Sequence, residues 1–330
     1  MTYIWLAPSP SYSRGTGHWP VGGVRRETED RTVSTFPALD YEDWAETRDT
    51  LHLFLQIIGK IRLKAHPKLN HWWHVTLYPH VRGLTTGRIP ARPSGFEILY
   101  DMLEHVVTIS LDDGRRDHFS VSGLSVAAFH DALFSRLGKL GIAVTILAVP
   151  YDNKSHVPFA EDTALRAYDT AAIGRFHRAL NAVADVFEAY RSGFVGKQTP
   201  VQLYWHSFDL VVTRFSGRAH PLESGTRSDR EAYSHAVISI GFWPGDDSVR
   251  EAAFYGYAYP EPVGLDQEPL APPPAGWVEK NGGALAILKY EDARRAADPD
   301  ATILEFLDSL YDGAARRSDW PIGALEHAYA

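Results

Sequence analysis

The sequence predicts an α+β fold with mainly antiparallel sheet, on three observations. Four segments repeat apolar residues at three- to four-residue steps, the period of a helix with one buried face. Between them lie runs of β-branched and aromatic residues closed by turn signals, the mark of strands and hairpins. A motif near residue 70 recurs in weaker form near residue 205, which predicts two related α+β halves.

The first helix is expected over 41–66, with Trp44, Thr47, Leu51, Phe54, Leu55 and Ile58 as its buried stripe, Asp40 as N-cap and Pro67 beyond its end. Strands are expected at 71–80, 96–103, 105–111 and 117–121, the last two joined by the turn "LDDG" at 111–114. A helix over 125–138 buries Val126, Phe129, Leu133, Phe134 and Leu137. "IAVTILAV" (142–149) reads as a buried strand. The next helix spans about 170–191, and strands follow at 201–215, 234–243 and 252–259. The proline-rich stretch 259–283 reads as a long surface excursion, because its prolines disfavour regular structure. A short strand at 284–288 and a helix at 300–316 complete the chain. Residues 1–36, rich in Gly, Pro, Ser and Arg, read as an extended arm that docks through Ile4, Trp5 and Leu6. The two halves are expected at 37–150 and 151–330, within one globule.

The 330 residues include 9 Trp and 16 Tyr but no cysteine, and carry a net charge of −8. Without cysteine there is no disulfide, thiolate nucleophile, Cys-ligated zinc or iron–sulfur cluster. The negative charge gives no footprint for nucleic acid. No run of about 18 apolar residues spans a membrane and the N-terminus does not read as a signal peptide, so a cytoplasmic location is expected. Large amphipathic rings in this number suit both cores and ligand clefts, and a small-molecule ligand is expected. Cofactor and oligomeric state stay open.

The echo pairs Trp73-His74 with Trp205-His206, each after a long helix and a Gly-Lys. Read as strands, these segments put Trp72, His74, Thr76 and Tyr78 on one face, and Gln202, Tyr204 and His206 on the matching one. On 231–246, Ala236, Ile238, Ile240 and Phe242 face the core, while Tyr233, His235, Ser239 and Trp243 point away. Tyr255, Tyr257 and Tyr259 share a face of the next strand.

"HWWH" suggests metal ligands, but on a strand His71 and His74 point oppositely. No HExxH or facial triad accompanies them, so no metal is assigned. A metal held by His74, His206 and His235 stays open. Asp209 lies among apolar residues and needs a partner, for which Arg214 and Arg218 are the candidates. There is no G-x-S-x-G elbow, and "GTGHWPVGG" in the arm is not a dinucleotide loop.

The blocks "TLHLFLQIIGKIRL", "NHWWHVTLYPHVRGLTTGRIP", "SFDLVVTRFSGR", "EAYSHAVISIGFWPGD" and "FYGYAYPEP" resemble a bacterial family of unknown function, over about 36–315. The resemblance implies identity and extent but no reaction. It also implies an acidic residue after the histidine of "YSH", where this chain has Ala236. Together these readings favour an enzyme acting on a small polar or anionic molecule. His74, His206, His235 and Asp209 would be its acid–base groups. Trp72, Tyr78, Tyr204, Tyr233, Trp243 and Tyr257 would line the ligand, and Arg214 and Arg218 would anchor it. The alternatives are a non-catalytic small-molecule binding protein and a partner-binding structural module.

Overall fold

The computed structural model describes residues 35–280 and 282–327. The expected arm therefore falls, apart from its last two residues, outside the described residues. Helix α1 (Ala45–Ala65) is followed by a five-stranded antiparallel meander: β1 (Tyr78–His80), β2 (Gly83–Thr85), β3 (Phe96–Asp101), β4 (Val106–Leu111) and β5 (Arg116–Ser120). Then come α2 (Val126–Lys139) and α3 (Thr170–Ser192). The second sheet contains β6 (Gln202–Tyr204), β7 (Asp209–Ala219), β8 (His235–Trp243), β9 (Ala253–Tyr259), β10 (Gly276–Lys280) and β11 (Gly283–Lys289), in the order β10-β11-β9-β8-β7-β6. The short helix α4 (Arg227–Ala232) joins β7 to β8. Helices α5 (Tyr290–Arg294), α6 (Pro299–Arg317) and α7 (Ile322–Leu325) close the described chain. This is the α+β architecture that the periodicities predict.

Alternation builds the first core. Phe96, Ile98 and Tyr100 of β3 and Val107 and Ile109 of β4 are buried, and α2 lies near them with Phe129. The Phe129 ring stacks on Phe54 of α1 at 4.1 Å and meets Phe119 edge-on at 5.5 Å. Helix α1 is not amphipathic in place. Thr47, Leu51, Phe54, Leu55 and Ile58 are buried, but so are Arg48, His52, Gln56 and Lys60 on another face. A helix covered all round belongs to the interior. Its expected cap is not used: Trp44 holds the cap position without a side-chain bond, and the Asp40 carboxylate takes the N–H of Glu42 instead.

Three expected strands are corrected. The segment 71–80 is not one strand. His71 and Trp72 sit at φ 52° and 61° in a helical turn, and only Tyr78–His80 pairs in the meander. The 201–215 run is broken by a reversal at 205–208, where Phe208 takes φ 63°, so β6 folds back on β7. Residues 142–149 run extended along the core but pair with no strand among the described residues. The proline-rich excursion is also more regular than expected. Its prolines end at Pro274, and Gly276–Lys280 then pairs with β11, because nothing there lacks a backbone donor.

The sheets meet at one residue pair. Leu77 and Leu203 exchange backbone hydrogen bonds of 2.9 and 2.7 Å. Beside them, the Trp205 indole donates to the Val75 carbonyl at 2.7 Å and packs on Gly59 of α1. A methyl group at Gly59 would stand 2.1 Å from the indole. Overpacking of this kind costs about 1–3 kcal/mol. Gly59→Ala is therefore expected to lower the unfolding free energy by that amount in urea titration, whereas Gly138→Ala, with open space around it, leaves it unchanged or raises it.

Candidate functional site

The described residues enclose a cavity of about 1200 Å³ on the face of the second sheet away from α3 and α6. Its floor follows from strand alternation. On β9, Phe254 and Ala258 are buried in the core while Tyr255 and Tyr257 turn to the cavity. On β7, Asp209 shares that face with Thr213, whose hydroxyl meets Ser239 of β8 at 2.9 Å. The walls add Trp243 and Tyr233, and the β6–β7 reversal supplies His206 and Ser207. Helix α1 contributes Arg48, Asp49 and His52.

Asp209 is the centre of the polar floor. It is 8% exposed. Ser207 donates to its Oδ1 at 2.5 Å and Tyr255 donates to its Oδ2. It forms no ion pair among the described residues. Burial, then the Asp209 charge, pushes the Tyr255 phenol well up, so it stays a proton donor. Tyr257 is likewise raised by burial and by Tyr233, whose hydroxyl lies 2.7 Å from its own.

His206 stands above this floor. Its ring meets Tyr204 at 5.6 Å and Tyr151 edge-on at 5.9 Å. Its Nδ1 is buried without a hydrogen-bond partner. Burial lowers its pKa, while Asp209 and Asp152 pull the other way, so the imidazole is neutral near pH 7 with a lone pair or proton to offer.

The wall is acidic. Eight acidic side chains line it against four basic ones, a net charge of −4. Lys154 is spent on Asp49 and Asp247, at 2.6 and 2.7 Å, and Lys280 lies over the Trp243 ring.

The structure brings together only part of the expected site. His206, Asp209, Tyr233, Trp243 and Tyr257 line the cavity, and Tyr204 lies behind His206. His74 does not line it: it stacks on Trp72 at 5.2 Å and accepts the Leu69 N–H. His235 packs edge-on against His71 at 5.5 Å, with Ser234 between them. Among the described residues no group of three or more His, Asp or Glu side chains is placed to hold a metal ion. Tyr78 is held by Arg62. Arg214 is buried against the rings of Tyr190, Tyr311 and Phe194, and its Nη2 donates to the Tyr190 carbonyl. Arg218 binds the carbonyls of Ser318 and Asp319 at the end of α6 and edges a separate cavity of about 260 Å³. Neither arginine reaches Asp209, and neither lines the larger cavity. The matched faces of the echo do touch, through a buried link: Thr76 donates to Gln202 at 3.0 Å, and Gln202 donates to Tyr204 at 3.2 Å.

Two groups in the site carry little signal in the sequence. Tyr255 stands there only as one of a row of tyrosines. Arg48, His52, Gln56 and Lys60 recur every four residues, a polar stripe with the pattern of a solvated face; here Arg48, His52 and Lys60 pack on the β6–β7 reversal and Gln56 bonds the backbone of Tyr151.

A family model matches residues 36–327, most of the chain. The chain belongs to the family of unknown function DUF5996. No curated protein and no solved structure matches this DUF5996 member. Its site therefore rests on its own geometry.

Burial, reinforced by Arg48, pushes His52 down to about 3 from an ordinary 6.5. Between those values the unfolded chain holds a proton that the folded chain refuses. The stability His52 contributes is complete above pH 6.5 and is lost as pH falls. Asp308, pushed up to about 6 by burial, acts oppositely between 3.8 and 6, so the whole-protein profile mixes the two. The stability difference between wild type and His52→Gln is expected to shift against wild type by about 2 kcal/mol from pH 7 to pH 5, read by urea unfolding. A difference that stays constant with pH would show that position 52 is charged in the fold.

Proposed function

We propose that this protein is an enzyme acting on a small, polar, positively charged molecule in the large cavity. Asp209 is its charge anchor and His206 the group that exchanges a proton with it. The observation that carries this reading is the buried Asp209 carboxylate, which has hydroxyl partners and, among the described residues, no cation. Removing an ion from water costs several kcal/mol unless an opposite charge and hydrogen bonds compensate. The hydroxyls supply part of that compensation, and a bound ammonium or guanidinium supplies the rest. Aromatic walls favour the same ligand through their negative ring faces. The neutral His206 with an unbonded Nδ1 is suited to general base or acid work.

A non-catalytic binding role is favoured by one separate observation. Tyr255 and Tyr257 hold their protons more tightly than an ordinary phenol, so the floor offers fixed donors and no labile proton.

The test is a thermal-shift screen with three ligand sets: small amines, neutral polyols and carboxylates or phosphates. Bound ligand raises the melting temperature by mass action. Amines are expected to stabilise the wild type. Asp209→Asn, which keeps the side chain's shape and one acceptor oxygen but removes the charge, should weaken the best amine at least about tenfold, or about 1.4 kcal/mol. His206→Ala should keep binding and lose conversion of that amine, followed by mass spectrometry. Binding without conversion by the wild type would leave the binding role, and conversion unaffected by His206→Ala would overturn the role given to His206. Stabilisation by anions alone would defeat both.

A further inference from the structure

Residues 142–149 are an apolar strand without a sheet. Burial alternates along them: Ile142, Val144, Ile146 and Ala148 pack on the core, while Ala143, Thr145 and Leu147 are exposed. The N–H groups of residues 143–148 and the carbonyls of residues 142–146 have no hydrogen-bond partner among the described residues. A free edge of this kind is a template for another strand. Edges that stay free usually carry charge, proline or a bulge, and this one has none: no charged residue occurs from Leu140 to Tyr151, and no proline before Pro150.

We propose that this edge pairs with the same edge of a second copy of the chain, antiparallel across a twofold axis. The missing charge favours a second copy over an unrelated strand. In an antiparallel self-pair every outward side chain on the axis meets its own duplicate, so a charge there would repel itself, and an uncharged row does not. With Thr145 on the axis, each Ala143 stands opposite a Leu147, a small residue against a large one. Leu147 is 74% exposed. A strand pair alone buries less than the roughly 1600 Å² of an ordinary stable interface. The loop that follows supplies further apolar surface, since Tyr151, Val157 and Leu165 are 60%, 44% and 78% exposed. The same loop carries Asp152, Asn153 and Lys154 into the cavity wall, so the pairing surface adjoins the site.

The experiment measures mass by light scattering on the full chain over a range of concentrations, together with amide hydrogen exchange. The expected mass is twice 36.8 kDa, with slow exchange at every second residue of 143–148, those whose N–H points to the partner strand. Thr145→Lys combined with Leu147→Lys changes two exposed positions, so the fold should hold, checked by unaltered circular dichroism. That variant should be monomeric and exchange quickly over 143–148. Three results would overturn the proposal: a monomeric wild type at the highest concentration reached, a dimer in which 143–148 exchanges freely, or a doubly substituted chain that stays dimeric. A monomer with slow exchange at 143–148 would show that another part of the same chain covers the edge.

Discussion

The pair of hydrogen bonds from His52 to the carbonyls of Trp205 and His206, 3.0 and 3.1 Å, holds the molecule's key chain reversal. The reversal puts Phe208 in a left-handed conformation that costs energy for a bulky residue. It also turns two carbonyls towards the interior, where an unpaired acceptor is expensive. One imidazole in its Nε2–H form meets both, and its ring stacks on Phe208 at 5.1 Å. The low pKa follows, since a neutral ring serves this place as well as a charged one and needs no desolvation of charge. From this reversal Trp205 reaches Val75 ahead of β1, Leu203 closes the bridge to Leu77, and His206, Ser207 and Asp209 enter the cavity wall. The site and the joint between the sheets are therefore one piece of chain.

The four long helices and the strand composition of the fold were legible because they rest on period, whereas the short helices α4, α5 and α7 were not. Strand interruption was not. "HWWHVTLY" has the composition of a strand, but His71 is needed elsewhere. Its Nδ1 meets the carbonyls of Glu231 and Ala232, and its Nε2 lies 2.6 Å from the Lys197 ammonium. That set of partners fixes a neutral Nδ1–H tautomer, with the ammonium donating to Nε2, and it requires a turn at 70–73 that no local preference favours. Tertiary contact overrode propensity there, as it did at 205–208.

One part of the site was more legible than it first looked. Asp209 and Arg214 are five apart on one strand, an odd offset, so alternation alone puts them on opposite faces. The structure agrees: Asp209 faces Tyr255 and the cavity, and Arg214 faces Tyr190 of α3. The polar stripe of α1 was hidden for the opposite reason. Spacing of four shows that Arg48, His52, Gln56 and Lys60 share a face, but spacing cannot say whether that face meets water or protein.

This division of the charges shapes what the cavity can select. The two arginines that would attract an anion are committed to carbonyls and aromatic rings elsewhere, while the carboxylates remain around the opening. An anion entering would meet a net charge of −4 and lose its own hydration, with Arg48 and the lysines already engaged. A cation entering would displace no internal cation at Asp209, because none of the described residues places one there. The hydroxyls of Ser207 and Tyr255 would stay in place, so the carboxylate is oriented before the ligand arrives and little reorganisation is needed on binding. The proposed selectivity for positive charge thus rests on what the strand alternation keeps away from Asp209 as much as on what it puts beside it.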